Sequence, residues 1–226
     1  MTSINKTICD RALNYFINLR TPTNLPSGIK IMNPYLNNET KNVTKKFFVK
    51  YFNDDKKRIL AFGINPGRFG GGVTGISFTD PVALTNFCGI ENKFDKKKEL
   101  SSEFIYLFVS EYGGAVKFYS KYFLSALYPL ALIKDNKNYN FYDDKRIFKL
   151  LKPAIVNSIK THLEFGCKDE SVICLGRKNY LYLDEINKEN NFFKKITVLD
   201  HPRYIMQYRR KLLRQYLDEY LNAFKY

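Results

Sequence analysis

The chain has 226 residues, 45% of them apolar and 26% charged, with 37 Lys and Arg against 22 Asp and Glu. That length buries a full core without disulfides or metals, and the composition excludes a disordered chain. No run of eighteen apolar residues exists, which excludes a membrane-spanning helix. The formal net charge of +15 points to a polyanionic partner, nucleic acid first. Of the 37 basic residues 27 are Lys, so part of this charge reads as general solvation in a chain also rich in Asn, Ile, Tyr and Phe. The N-terminus lacks a charged start followed by a long apolar block, so no secretory signal is expected. Cys9, Cys88, Cys167 and Cys174 are scattered without a CxxC pair. Neither a disulfide framework nor a zinc site is expected, and a reducing, cytoplasmic compartment is.

Residues 7–20 carry Ala12, Tyr15, Phe16 and Leu19 at helical spacing. Residues 21–40 hold three of the eight prolines and read as an irregular connector, and 42–52 as a helix basic on one face. Together with the segment before 58 they form an N-terminal helical extension of one 226-residue domain. Arg58-Ile-Leu-Ala-Phe-Gly-Ile-Asn65 is a short apolar run ended by Pro66-Gly67, as expected of a buried parallel strand. Thr79-Asp80-Pro81 supplies a cap and a first-turn proline, so a helix starts there. Residues 101–112 predict a helix with a serine cap. Residues 122–133 predict a strand broken near Pro129. Asp144 to Phe165 predicts a long helix burying Ile147, Leu150, Leu151, Ile155, Ile159 and Leu163. Pro153 should bend it or divide it, and His162 reads as a surface or boundary residue without a role. Strands at 171–175 and 195–199 follow, with a helix near 177–187 between them and a basic helix at 203–225. This alternation predicts a three-layer α/β/α sandwich around a mainly parallel sheet of about four strands.

Ligands in such sheets sit beyond the carboxyl ends of the strands. Two of these ends are unusual. Gly63-Ile-Asn-Pro-Gly-Arg-Phe-Gly-Gly-Gly-Val-Thr-Gly-Ile-Ser-Phe78 carries five glycines after Asn65, so its backbone can approach a ligand closely. The Walker pattern fails because no Gly-Lys-Ser/Thr follows, and GxGxxG fails at the strand end, where Pro66 intervenes. His201-Pro-Arg-Tyr-Ile-Met-Gln-Tyr-Arg-Arg210 places one of the two histidines directly after a strand, with a basic, aromatic segment behind it.

The first of these loops resembles the first motif of the uracil-DNA glycosylase superfamily. It is most similar to the single-strand-selective monofunctional branch, whose loop reads G-M-N-P-G-P-F-G-M-x-x-T-G-V-P-F. His201-Pro202 matches the start of that branch's second motif, and the likeness runs in order from about residue 58 to 215. The mismatch-specific branch has Asn-Pro-Ser where this chain has His201-Pro202, and the iron–sulfur branches need clustered cysteines.

The resemblance implies a monofunctional glycosylase that hydrolyses the bond between deoxyribose and uracil, or a related deaminated base, without metal or cofactor. It implies a monomer acting on single- or double-stranded DNA, in bacterial cytoplasm at the nucleoid. Asn65 matches the asparagine that positions the attacking water, and His201 the histidine that donates to the base as it leaves. Phe78 matches the aromatic that stacks on the flipped base. Gly63, Ile64, Pro66, Gly67 and Phe69 line the pocket by the same match. Such residue types suit the chemistry. Bond breaking builds negative charge on the base, where a buried donor is worth roughly 3 kcal/mol.

Two departures stand out. The branch continues His-Pro-Ser-Pro-Arg-Asn, whereas this chain has His201-Pro-Arg-Tyr-Ile-Met. Tyr204, Ile205 and Met206 are therefore expected to form the wedge that fills the vacated stack, with Arg68, Arg203, Arg209 and Arg210 on flanking DNA. The branch also carries a base-reading asparagine before Cys-Pro-Leu. Here the segment is Leu124-Ser-Ala-Leu-Tyr-Pro-Leu130, with Ala126 in the asparagine's place and Ser125 as a partial substitute. Base choice thus extends to xanthine or hypoxanthine. This departure leaves room for a non-catalytic nucleic-acid-binding protein on the same fold, and the Gly-rich loop for a nucleotide-binding one.

Overall fold

A computed structural model describes residues 6–225. Its central sheet is built from β2 (Arg58–Gly63), β3 (Tyr122–Ala126), β6 (Cys167–Leu175) and β7 (Ile196–Leu199), ordered β3-β2-β6-β7 and parallel throughout. Their apolar runs are long enough to be covered on both faces. Alternation along β3 sorts the layers. Phe123 packs its ring against His162 of α7 (Lys145–Glu164), while Tyr122 packs against Phe224, just past α10 (Leu213–Ala223). α1 (Ile8–Ile17) and α8 (Arg177–Asn190) share the α7 side. α5 (Leu100–Tyr112) and α6 (Ala115–Tyr119) share the other. The α/β/α sandwich with four parallel strands is thus the architecture expected.

The local differences have physical causes. β1 (Ile29–Met32) lies in the segment read as an irregular connector. It pairs with β4 (Ala131–Lys134), which pairs with β5 (Lys137–Tyr139), in a second, antiparallel sheet. The run at 122–133 is therefore two strands in different sheets. The β4–β5 turn uses Asp135 and Asn136 at φ 48° and 56°, the left-handed pair that two-residue hairpins need. α2 (Asn38–Phe52) begins earlier than expected because Asn37 caps it. α5 takes Glu99 and no serine as its N-cap residue. Pro153 neither ends nor divides α7. It stands on the exposed side of the helix. Leu150 and Leu163 are only half-buried. The inward stripe of α7 includes Phe148, Ser158 and His162 instead, and His162 is fully buried, against the surface position expected. The basic terminal segment is α9 (Pro202–Tyr208), a short 3-10 turn and α10, in place of one helix.

The N-terminal segment holds the Gly-rich loop from behind. The Tyr35 hydroxyl donates to the Gly75 carbonyl at 2.6 Å. Thr40 and Thr44 of α2 donate to the carbonyls of Val73 and Thr74 at 2.8 and 3.1 Å. No side chain would fit at Gly75, whose φ is +73° and whose missing Cβ would lie 2.7 Å from the Thr44 hydroxyl.

Candidate active site

A cavity of about 650 Å³ opens where β2, β3 and β7 end. Asn65, Phe78, Ala126 and His201 all line it, as do Gly63, Ile64, Pro66, Gly67, Arg68, Phe69, Arg203 and Tyr204. The two strand ends singled out by sequence therefore meet across one space.

Asn65 follows β2 and has both ends of its amide held. Its Nδ2 donates to the Tyr139 carbonyl at 3.0 Å, and its Oδ1 accepts the Phe141 N–H at 3.2 Å. Oδ1 is thus assigned by its donor, with one lone pair left over to hold a water. The hairpin that provides these partners also accepts the Arg68 N–H at Asn138 Oδ1, 3.0 Å, and an Arg68 guanidinium bond at the Asn136 carbonyl. Arg68 accordingly lies along the hairpin, stacked 4.4 Å from the Phe69 ring centre.

His201 follows β7 and caps α9. Its Nδ1 accepts the Arg203 N–H at 3.1 Å. A backbone N–H can only donate, so Nδ1 carries a lone pair and the single proton of the neutral ring sits on Nε2. Burial, with the Arg203 charge adding to it, lowers the His201 pKa to about 4. The ring is therefore a neutral N–H donor at neutral pH. Its centre lies 5.9 Å from that of Phe78. Phe78 is held at φ 57°, a strained conformation for a bulky residue.

Beneath the loop lies a group that sequence reading missed. Glu99, directly after Lys96-Lys97-Lys98, turns its carboxylate inward to accept the Phe69 N–H at 3.0 Å. Cβ atoms on Gly67 and Gly70 would fall 2.3 and 2.5 Å from that carboxylate, which explains two of the glycines. Burial pushes the Glu99 carboxyl up, opposed by the loop N–H groups and by the Arg203 charge. No local pattern marks Glu99, because its role depends on where α5 starts.

Several site expectations need correction. Ser125 does not face the cavity. It points to the other side of the sheet, where its hydroxyl donates to His162 Nε2 at 2.8 Å. The carbonyl of Ser158 takes the His162 Nδ1–H at 2.6 Å and fixes that tautomer. Ala126 alone of the pair lines the cavity. Ile205 and Met206 are buried and unavailable as a wedge. The exposed face of α9 presents Tyr204, Gln207 and Tyr208 to the mouth, the two tyrosine rings 5.6 Å apart. Arg209 stacks 5.4 Å from the Tyr204 ring centre, and Arg210 is paired with Glu103 at 2.9 Å. Among the described residues no three His, Cys, Asp or Glu side chains group as a metal site, and no helix is long and apolar enough to cross a membrane.

The uracil DNA glycosylase superfamily model matches residues 49–225. The crystal structure of wild-type Pedobacter heparinus SMUG2 is similar to this one with a TM-score of 0.93, at 40% sequence identity over 97% of each chain. No curated protein matches. The chain belongs to the uracil-DNA glycosylase superfamily. Its likeness to a SMUG protein agrees with the single-strand-selective branch that its motifs resemble. It is accordingly a DNA glycosylase of the uracil-DNA glycosylase type.

Proposed function

We propose that this protein removes uracil or a related deaminated base from DNA, with Asn65 holding the attacking water and His201 stabilising the departing base. The carrying observation is that His201, whose ring proton is on Nε2, lines the same cavity as Asn65, with the Phe78 ring beside it.

In this reading the target nucleotide leaves the stack and its base lies against Phe78. The glycosidic bond breaks with its electron pair going to the base. The deoxyribose ring becomes cationic, and the His201 Nε2–H bonds to the base oxygen more strongly as charge collects there. A neutral donor suits this step because it gains most from charge that appears only at the transition state. Water held at Asn65 Oδ1 adds to the cationic sugar carbon and loses a proton to solvent or to the departing base anion, which yields an abasic site. An amide is a poor base, so its contribution is placement and not proton abstraction. Glu99 is a positioning residue that holds the loop carrying Pro66 to Gly70.

Ala126 leaves one wall of the base pocket without the amide that would read a base edge. The reading therefore includes xanthine and hypoxanthine beside uracil as substrates. Tyr204, Gln207 and Tyr208 are the groups available to fill the gap left by the extruded nucleotide, and Arg203 stands beside them at the mouth. One copy of the chain carries every group named, so a monomer suffices, and sedimentation as a single 26.6 kDa species checks this. The activity test is incubation with single- and double-stranded oligonucleotides carrying each deaminated base, followed by alkaline cleavage at abasic sites. Product on uracil at least is expected. No product on any base would reject the reading.

A further inference from the structure

A second concavity, of about 500 Å³, runs between α7 and α8. Its rim carries Lys145, Lys149 and Lys152 on one face of α7, spread over roughly 10 Å of helix axis, and Lys178 on α8. The rest of its lining is Phe148, Tyr182, the exposed Leu181 and one acid, Glu185. Lys145 and Lys149 pair with no carboxylate among the described residues. The nearby acids are mostly occupied. Glu185 and Glu189 hold Lys152 at 2.7 and 2.6 Å, and Asp144 holds Arg146 at 2.7 Å. Asp143 takes the Asn140 amide and lies 3.8 Å from Lys178.

This groove adjoins the active-site cavity across a pair of stacked rings. Tyr142 lines the cavity and Tyr182 the groove, and their rings stack with centres 5.5 Å apart at 18°. Lys178 Nζ sits 4.4 Å from the Tyr142 ring centre, and Phe148 packs edge-on to Tyr182 at 4.5 Å. Cations alternating with aromatic faces across a cavity and the groove beside it are what a single strand of nucleic acid requires. Lysines meet the phosphates, while bases stack without regard to sequence.

We propose that the α7–α8 groove binds the single-stranded flank on one side of the target nucleotide, as an extension of the DNA site. The inference rests on the glycosylase reading for what occupies the cavity, but its test reads binding apart from excision. The probes are fluorescein-labelled single-stranded oligonucleotides with one central uracil and flanks of 2 to 12 nucleotides, lengthened on one side at a time. Anisotropy gives affinity, and alkaline cleavage gives excision in parallel. Wild-type affinity should rise with length on one side only. Lys149→Glu and Leu181→Glu, both at exposed positions, should abolish that rise while leaving affinity and excision on the shortest probe unchanged. Lys149→Ala should lower the slope of log affinity against log salt by about 0.7, the value for one lost single-strand phosphate contact. A length dependence retained in both Glu variants, or an unchanged salt slope, would overturn the groove assignment. Absence of excision by the wild-type protein at every length would instead count against the glycosylase reading, with the binding series still deciding the groove.

Discussion

The ring of Phe78 occupies the space that a side chain on Gly63 would fill: a Cβ there would lie 2.4 Å from Phe78 Cζ. The last residue of β2 and the last residue of the Gly-rich loop are thus fitted to one another, and the fit sets where the Phe78 ring stands in the cavity. Gly63→Ala should displace that ring. We expect about 1–3 kcal/mol of destabilisation from overpacking, together with a rise in KM for the damaged oligonucleotide that exceeds any change in folding. Thermal melting and steady-state kinetics on one preparation check this. An unchanged KM would show that Phe78 does not form the base platform.

The acid limb of stability should reflect two histidines. Burial lowers the pKa of both His162 and His201 to about 4, with Arg203 contributing at His201. The unfolded chain, with ordinary histidines near 6.5, binds more protons between those values. Their contribution is therefore complete above pH 6.5 and is lost as pH falls through about 4. Urea midpoints measured from pH 7.5 to 4 should decline over that window. His162→Gln should flatten part of the decline. Excision by the wild-type protein should stay level from pH 8 to about 5, because His201 remains a neutral donor throughout.

Ser125 and Ala126 are adjacent but serve opposite faces of β3. Ser125→Ala leaves His162 Nε2 without its donor in a buried site, at a cost of about 1–3 kcal/mol, and should not alter the order of preferred bases. Ala126→Asn places an amide on the cavity wall. It should favour uracil over xanthine and hypoxanthine by tenfold or more, as expected of a site that hydrogen-bonds its ligand. A competition panel with the three bases separates the two effects.

On α9, alanine at Tyr204 and Tyr208 together should slow excision from duplex DNA by roughly tenfold, within the range for loss of base–aromatic stacking. Single-stranded substrate should be little affected, since it has no opposite strand to hold open. Alanine at Met206, which is buried, should lower the melting temperature instead and spare the duplex-to-single-strand ratio. Equal losses on both substrates from the tyrosine variant would count against a wedge.

Much of this site was legible in the sequence because it depends on local spacing. Asn65-Pro66-Gly67 ends a buried strand, His201-Pro202 ends another, and the position of parallel strand ends does the rest. Ser125 was misassigned although the period of a strand is two, which puts it back to back with Ala126. Ile205 and Met206 were misassigned because the inward face of a short helix depends on what it packs against. The β4–β5 hairpin went unread since its pairing partner, β1, lies a hundred residues earlier. With it went the clamp on Asn65, which needs Tyr139 and Phe141 in place. Glu99 and His162 were concealed by the opposite problem. Both are polar residues in segments whose composition suggests solvent, and only the tertiary fold turns them inward.

The most direct test of the account is single-turnover excision from a uracil-containing oligonucleotide by the wild-type protein, Asn65→Ala and His201→Ala, each confirmed as folded. The account predicts release of free base by the wild-type protein and a loss of about 10²–10³ in rate for His201→Ala, the range for removing a donor aimed at developing charge. A comparable loss is expected for Asn65→Ala. Either variant matching the wild-type rate would contradict it.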